Sequence, residues 1–98
     1  LSAKDVSQIV GMQFNQIKQG LADSGISIEI SPQAIDWLAQ AGFDVLFGAR
    51  PVKRALQRYV LNDLSKQILA DTISKDQSIL VDLEGDQLVF RNLAGEQQ

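Results

Sequence analysis

The sequence predicts an α+β fold in which three helices pack on a three-stranded sheet. Three observations support it: a long amphipathic segment opens the chain, an isoleucine-rich strand and two more helical segments follow, and a glycine-containing hairpin comes last. The order is helix, strand, helix, helix, hairpin. With 98 residues, the chain is long enough for one modest core. We therefore expect a single domain over residues 1–98, with a frayed tail at 93–98.

The first helix is predicted from Ala3 to Asp23. Ser2 and Asp5 have the spacing of a capping box, and the apolar residues that follow recur at helical intervals. Gly25 is expected to end the helix, because glycine readily takes the left-handed conformation found just past a helix end. Isoleucines then alternate with polar residues over 26–30, which predicts a short half-buried strand.

Two further helices are predicted from their start signals. Ser31 followed by Pro32 is typical of a helix start, and Gly42 is expected to end that second helix. Pro51 opens the third helix, whose apolar positions continue to Ile68, with a kink expected near 62–63. Two strands, 78–83 and 87–91, are predicted to form a hairpin around a turn at 84–86.

Several aromatic residues are expected to lie in or near the core. The segment from Gly42 to Gly48 should be a packed loop, with Phe43 and Phe47 in the core; the alternative is that this loop contacts a partner. Trp37 and Tyr59 fall within helical patterns and are expected to be buried or half-buried, not to form a platform on which nucleic-acid bases stack.

Composition excludes several classes of function. The chain has nine basic and twelve acidic side chains and a net charge of -3, which argues against a surface built for nucleic acid. It has no histidine and no cysteine, so a thiolate zinc site and an imidazole base are both excluded. No phosphate-binding loop and no paired acids occur, so no catalytic residue is predicted. No apolar run is long enough for a membrane span, and a cytoplasmic location is expected.

One dense cluster of cations stands out, in the run from Gly48 to Arg54. Arg50, Lys53 and Arg54 crowd into the start of the third helix, where the helix dipole disfavours positive charge. A phosphate or carboxylate bound there would offset this cost. The alternative is that Lys53, Arg54 and Arg58 are surface charges paired with acids elsewhere in the fold. Spacing alone leaves both interpretations open for Arg50.

The run from Gly42 to Gln57 resembles the sensor-2 region of Clp-type AAA+ unfoldases, whose pattern is Gly-aromatic-Asp-Pro-x-aromatic-Gly-Ala-Arg-Pro-Leu-Lys-Arg. The likeness extends along the whole chain, whose layout is similar to the C-terminal small (lid) subdomain of the second AAA+ module in ClpB-type disaggregases of the Clp/Hsp100 family. ClpC and ClpA types share this layout. The ClpB type is favoured by the third helix and by the short stretch after the hairpin. Val45 and Val52 depart from the pattern, replacing proline and leucine.

This resemblance implies a role in ATP binding. Arg50 would be the sensor-2 arginine that reaches the phosphates of ATP, with Gly48 and Ala49 shaping its approach. ATP, with Mg²⁺, would be bound mainly by the large subdomain of the parent ATPase. The fragment alone is therefore expected to be inactive.

The resemblance also implies partners for a hexameric stress-response chaperone. These would be the large AAA+ subdomain of the same chain, neighbouring subunits of the hexamer, unfolded or aggregated polypeptides, and a DnaK-type chaperone system. Neither nucleic acid nor a membrane is expected as a partner. The alternative function is a nucleic-acid-binding module that uses the basic face of the third helix, formed by Arg50, Lys53, Arg54, Arg58 and Lys66. The acidic balance of the chain and the lack of an aromatic-basic stripe oppose this alternative.

Overall fold

The predicted order of helices and strands is confirmed. The computed structural model describes residues 2–44, 46, 48–49 and 51–93. Over these residues, three helices accompany a three-stranded mixed sheet, as predicted for an α+β fold. The third helix has three consecutive segments: α3, a π-helical segment and α4. The bounds are α1 Ala3–Asp23, β1 Ile28–Ile30, α2 Pro32–Ala41, α3 Val52–Leu56, the π-helical segment Gln57–Asn62, α4 Asp63–Leu69, β2 Ile79–Glu84 and β3 Gln87–Asn92.

Local hydrogen bonds account for both ends of α1. The Ser2 hydroxyl accepts from the Asp5 N–H at 3.1 Å, and the Asp5 carboxylate accepts from the Ser2 N–H at 3.1 Å, so the predicted capping box is present. At the other end, Gly25 has a φ of 82°. The N–H of Ile26 donates to the carbonyl of Leu21 at 2.9 Å, which closes the helix in a Schellman motif.

The first strand is shorter than the sequence predicted. It begins at Ile28, whereas the isoleucine alternation suggested a start at Ile26. The N–H of Ile26 is already used in closing α1, so this residue belongs to the helix cap and not to the sheet. Ile26 is nonetheless half-buried and packs against the core, which explains its apolar character.

The sheet has the order β1-β2-β3. β1 pairs in parallel with β2, with Ile28 opposite Ile79, and β2 pairs antiparallel with β3, with Val81 opposite Phe90. Gly85 lies in the hairpin turn with a φ of 63°, so the predicted glycine turn is confirmed. β2 is shifted by one residue from its predicted bounds, and β3 begins as predicted but ends one residue later, which is within the usual uncertainty of element ends.

The core lies between the helices and one face of the sheet. Every helix and strand contributes to it, and all fully buried side chains among the described residues are hydrophobic. The predicted half-burial of Trp37 and Tyr59 is confirmed, and both pack against this core. Its buried members are Val6, Val10, Phe14, Ile28, Ala34, Leu38, Ala39, Val52, Leu56, Val60, Leu64, Ile73, Ile79, Val81 and Phe90.

The third helix contains an irregularity near the predicted kink. Residues Gln57–Asn62 form a π-helical turn, which ends where a kink was expected and begins about one turn earlier. The helix then continues as α4 to Leu69. Over the described residues, no helix is both long enough and apolar enough to cross a membrane.

The expected burial of Phe43 is wrong, because its side chain is 43% exposed. The loop closes on its own backbone: Asp44 and Gly48 exchange two N–H···O bonds, of 2.8 and 2.7 Å. Such a tight closure turns side chains outward, and Leu46 at the tip is 84% exposed. The corresponding expectation for Phe47 lies outside the described residues, as does most of the tail expected at 93–98.

Candidate functional site

The predicted site residues fall in the loop between α2 and α3. Gly48 has a φ of 63°, a left-handed conformation that glycine adopts without a steric penalty. Ala49 is half-buried and packs against the core, and its carbonyl accepts from the Val52 N–H at 3.0 Å. Arg50, the central residue of the prediction, lies outside the described residues. The described part of the loop therefore contains a left-handed turn at Gly48 and the half-buried Ala49, which immediately precedes Arg50 in the sequence.

Asp44 organises the loop that contains Gly48. One of its carboxylate oxygens accepts from the N–H of Leu46 at 2.7 Å, an Asx-type contact that fixes the loop tip. The backbone of Asp44 simultaneously pairs with Gly48. These contacts make the loop compact, so the residues that follow it have a defined starting point.

The cations of the third helix do not pair as the alternative interpretation expected. Lys53, Arg54 and Arg58 are exposed, and none of them forms an ion pair with another described residue. Over the described ranges, the ion pairs are Lys18 with Glu29 at 2.8 Å and Arg91 with Asp82 at 3.3 Å. The Arg58 guanidinium instead lies over the Tyr59 ring, 5.4 Å from its centroid. These three cations are therefore exposed surface charges, as the alternative interpretation expected, but the pairing with acids that it also expected is absent among the described residues.

Grooves lie on the described surface where α1 meets the end of α2 and where α1 meets the third helix. The larger, of about 830 Å³, lies between the start of α1 and the end of α2; Val6, Ala39 and Phe43 contribute apolar surface to it. The smaller, of about 210 Å³, lies between α1 and the third helix and is lined in part by Gln13 and Lys53. The Oε1 atom of Gln13 is buried and accepts no hydrogen bond from the described residues.

The described residues of this loop and of the start of the third helix offer positive charge and a fixed backbone turn. Lys53 and Arg54 supply positive charge beside the fixed turn at Gly48, which suits contact with an anion. Among the described residues, no group of three or more carboxylate, histidine or cysteine side chains is placed to hold a metal ion.

One contact of the described structure was not anticipated from the sequence. The indole N–H of Trp37 donates to both the carbonyl and the carboxylate of Asp86, each at 3.2 Å. The Trp37 ring also meets Tyr59 edge to face, with centroids 5.0 Å apart. Trp37 thus connects α2 to the hairpin turn and to the π-helical segment. The one sequence signal for this contact is that Asp86, an acid, lies in the short hairpin turn.

Comparison with known proteins identifies the family of the chain. A family model described as the C-terminal, D2-small domain of ClpB protein matches residues 1–81. The chain is 47% identical over 92 residues to the chaperone protein ClpB of Bacteroides thetaiotaomicron, covering 94% of the chain and 11% of that protein. It is 43% identical over 91 residues to a probable chaperone protein ClpB 1 of Chlorobaculum tepidum, covering 93% of the chain and 21% of that protein.

A third relative, the chaperone protein ClpB of Porphyromonas gingivalis, is 42% identical over 92 residues, which are 94% of the chain and 11% of that relative. The chain thus spans only about a tenth to a fifth of the length of these relatives. Both the family model and these relatives carry the ClpB name, which favours the ClpB type over the ClpC and ClpA types that share the layout. The chain belongs to the ClpB D2-small family, the C-terminal small domain of ClpB chaperones.

Proposed function

We propose that this domain is the lid of an ATP-dependent protein disaggregase and that Arg50 is its sensor-2 arginine. The observation that carries the proposal is the left-handed turn at Gly48 in a member of the ClpB family. The backbone of Gly48 is hydrogen-bonded to that of Asp44, and Gly48 lies two residues before Arg50 in the sequence. A fixed turn limits where the next side chain can reach. Gly48 and Ala49 would then shape the approach of Arg50 to the phosphates of ATP.

The charge distribution supports this role. Lys53 and Arg54 lie where the helix dipole disfavours cations, and neither is neutralised by a described acid. Phosphates held by the large subdomain, together with Mg²⁺, would offset that cost and would gain stabilisation from Arg50 as charge develops in phosphoryl transfer. The same cations would also suit a nucleic-acid backbone. The net charge of -3 and the family membership instead favour contact with a nucleotide that the large subdomain holds.

The exposed apolar side chains support a packing role. Phe43 is 43% exposed beside the larger groove, and Leu46 projects from the loop tip. Phe43 adjoins the apolar lining of this groove, and contiguous exposed apolar surface is typical of sites that contact another protein. We infer that the lid packs on the large AAA+ subdomain of its own chain and on neighbouring subunits of a hexamer in the cytoplasm. Movement of the lid would then help that ring act on unfolded or aggregated polypeptides, with a DnaK-type chaperone system.

The proposal is tested by Arg50→Ala in a full-length ClpB chaperone that carries this domain. We expect ATP turnover to fall by roughly tenfold to a hundredfold, because a positioned charge that stabilises the transition state is lost. Disaggregation of a heat-aggregated substrate should fall with it. Circular dichroism of the 98-residue chain with the same change should remain that of the folded domain.

Arg91→Ala is the matched control, since Arg91 lies on β3 and pairs with Asp82. Turnover in this variant should equal that of the unmodified protein. Unchanged turnover in Arg50→Ala would remove the sensor-2 assignment.

A further inference from the structure

Gly42 occupies a position whose backbone does not require glycine. It caps the end of α2 with a φ of -97° and a ψ of 6°, a conformation available to other residues. Its N–H donates to the Leu38 carbonyl at 2.8 Å, and the residue is buried. Conformational freedom therefore does not explain glycine here, and the explanation must lie in what surrounds it.

The surroundings leave no room for a side chain. A Cβ added at Gly42 would stand 2.8 Å from the Cα of Val52, 2.9 Å from its Cγ2 and 3.1 Å from the Leu38 carbonyl oxygen. Two of these three atoms belong to the backbone, so no change of rotamer relieves the contact. By contrast, a Cβ added at Gly11 or Gly20 in α1 would meet nothing within 4 Å.

The contact at Gly42 is with the first residue of the third helix. Val52 is fully buried, and its N–H donates to Ala49 at 3.0 Å, so it also anchors the end of the loop. Arg50 lies between Ala49 and Val52 in the sequence. The backbone on both sides of Arg50 is thus tied to a helix start that rests directly on Gly42.

We propose that Gly42 is a positioning residue for Arg50, acting through the backbone of Val52. Any side chain at position 42 must push the start of the third helix away from α2, and the loop from Asp44 to Ala49 must shift with it. The backbone that carries Arg50 would then be displaced, and its side chain would reach the phosphates from a different position. This inference rests on the proposed sensor-2 function of Arg50.

The test uses a full-length ClpB chaperone that carries this domain, with Gly42→Ala, Arg50→Ala, the double variant, and Gly20→Ala as a matched control. Turnover and KM for ATP are measured at a temperature at which circular dichroism shows each isolated domain folded. We expect Gly42→Ala to lower turnover by about tenfold, less than the roughly hundredfold loss that a 1 Å misplacement at a catalytic centre can cause. Gly20→Ala should leave turnover unchanged.

The double variant separates positioning from general damage. If Gly42 acts through Arg50, the double variant is no slower than Arg50→Ala alone, because residues that act as one unit are not additive. Losses that multiply in the double variant would overturn the positioning role, as would normal turnover in Gly42→Ala beside slow turnover in Arg50→Ala. Both of these results would leave the sensor-2 assignment intact, whereas normal turnover in Arg50→Ala would overturn that assignment.

A second variant keeps the test decisive if Gly42→Ala does not fold at the assay temperature. Val52→Ala removes both methyl groups of Val52, including the Cγ2 that faces Gly42, and loosens the same contact from the other side while leaving the Val52 Cα in place. We expect a smaller loss of turnover that is again absent in the background of Arg50→Ala. A loss of the same size in both backgrounds would contradict the proposal.

Discussion

Asp71 adopts a backbone conformation that is unfavourable for its side chain. Its φ is 66°, the only positive φ of a non-glycine residue among the described ranges. The residue stands just past the end of α4, where its N–H donates to Ile68 at 3.1 Å and the N–H of Thr72 donates to Gln67 at 2.9 Å. This is the position that glycine usually takes in a Schellman motif. An acid there also faces the negative end of the helix dipole.

We expect Asp71→Gly to raise the free energy of unfolding by about 0.5 to 1 kcal/mol, because it relieves the left-handed strain and removes an unfavourable charge, partly offset by a more flexible unfolded chain. Urea denaturation of the 98-residue chain measures the change. Asp76→Gly is the matched control, an exposed acid in the next turn without a positive φ, and should give no gain. A less stable Asp71→Gly variant would show that the acid makes a favourable contact.

Some features of the loop residues could be predicted from the sequence, and others could not. The turn at Gly48 could be predicted, because a glycine before a helix start is a local signal. The exposure of Phe43 could not, since it depends on the hydrogen bonds that Asp44 exchanges with Gly48 across the loop. The steric need for Gly42 was likewise hidden, because Val52 is distant in sequence and only the packed structure brings its backbone close.

At the scale of elements, α2 is joined to the sheet through its cap. The Ser31 hydroxyl accepts from Ala34 at 3.1 Å, and the Ser31 N–H donates to Val81 at 2.9 Å. The pKa of the neighbouring Asp82 is lowered, first by the N–H of Leu83 at 2.8 Å and then by the Ser31 hydroxyl. At the start of α1, the backbone and hydroxyl of Ser2 lower the pKa of Asp5 in the same way.

These two carboxyl groups predict a loss of stability in acid. Their folded pKa values lie below the ordinary value of 3.8, so the unfolded chain binds protons first as the pH falls. The stabilisation is present above the unfolded pKa and is lost as the pH drops through the folded pKa values. Urea denaturation from about pH 6 to about pH 2.5 should show this decline. Asp5→Asn with Asp82→Asn should flatten it, and an equally steep decline in that double variant would contradict the assignment.

The sequence predicted elements well where the signals are local. The caps at Ser2 and Ser31 gave the starts of α1 and α2, and the glycine turn gave the hairpin. The parallel pairing of β1 with β2 could not be predicted, because the two strands are distant along the chain and no local pattern records their register. The π-helical segment was also missed, since apolar spacing does not distinguish one wide turn from a regular helix.

At the scale of the molecule, one core joins all helices and strands. Buried side chains from α1 to β3 form a contiguous cluster, and Trp37 bridges α2, the third helix and the hairpin turn. We therefore expect the isolated chain to unfold in a single cooperative step. Trp37 is the sole tryptophan, so its fluorescence reports this junction directly.

The measurement compares two probes in one urea titration. Tryptophan fluorescence and far-ultraviolet circular dichroism should give the same midpoint and the same slope. Tyr59→Phe, which keeps the ring that Trp37 meets, should leave the two probes coincident. Separate midpoints in the unmodified chain would mean that the hairpin junction opens before the helices melt.

The parallel strand pair has a consequence for how the domain is made in the cell. β1 leaves the ribosome roughly fifty residues before β2, a delay of about 3 to 10 seconds at ordinary rates of synthesis. Throughout that interval, Ile28 and Ile30 have no strand beside them. Only α1 precedes β1 in the chain, so α2 and the third helix are still being synthesised during this time. For a few seconds during its synthesis, this domain therefore has an unpaired apolar strand that is prone to aggregation. We propose that the parent chaperone rescues other proteins from that same state.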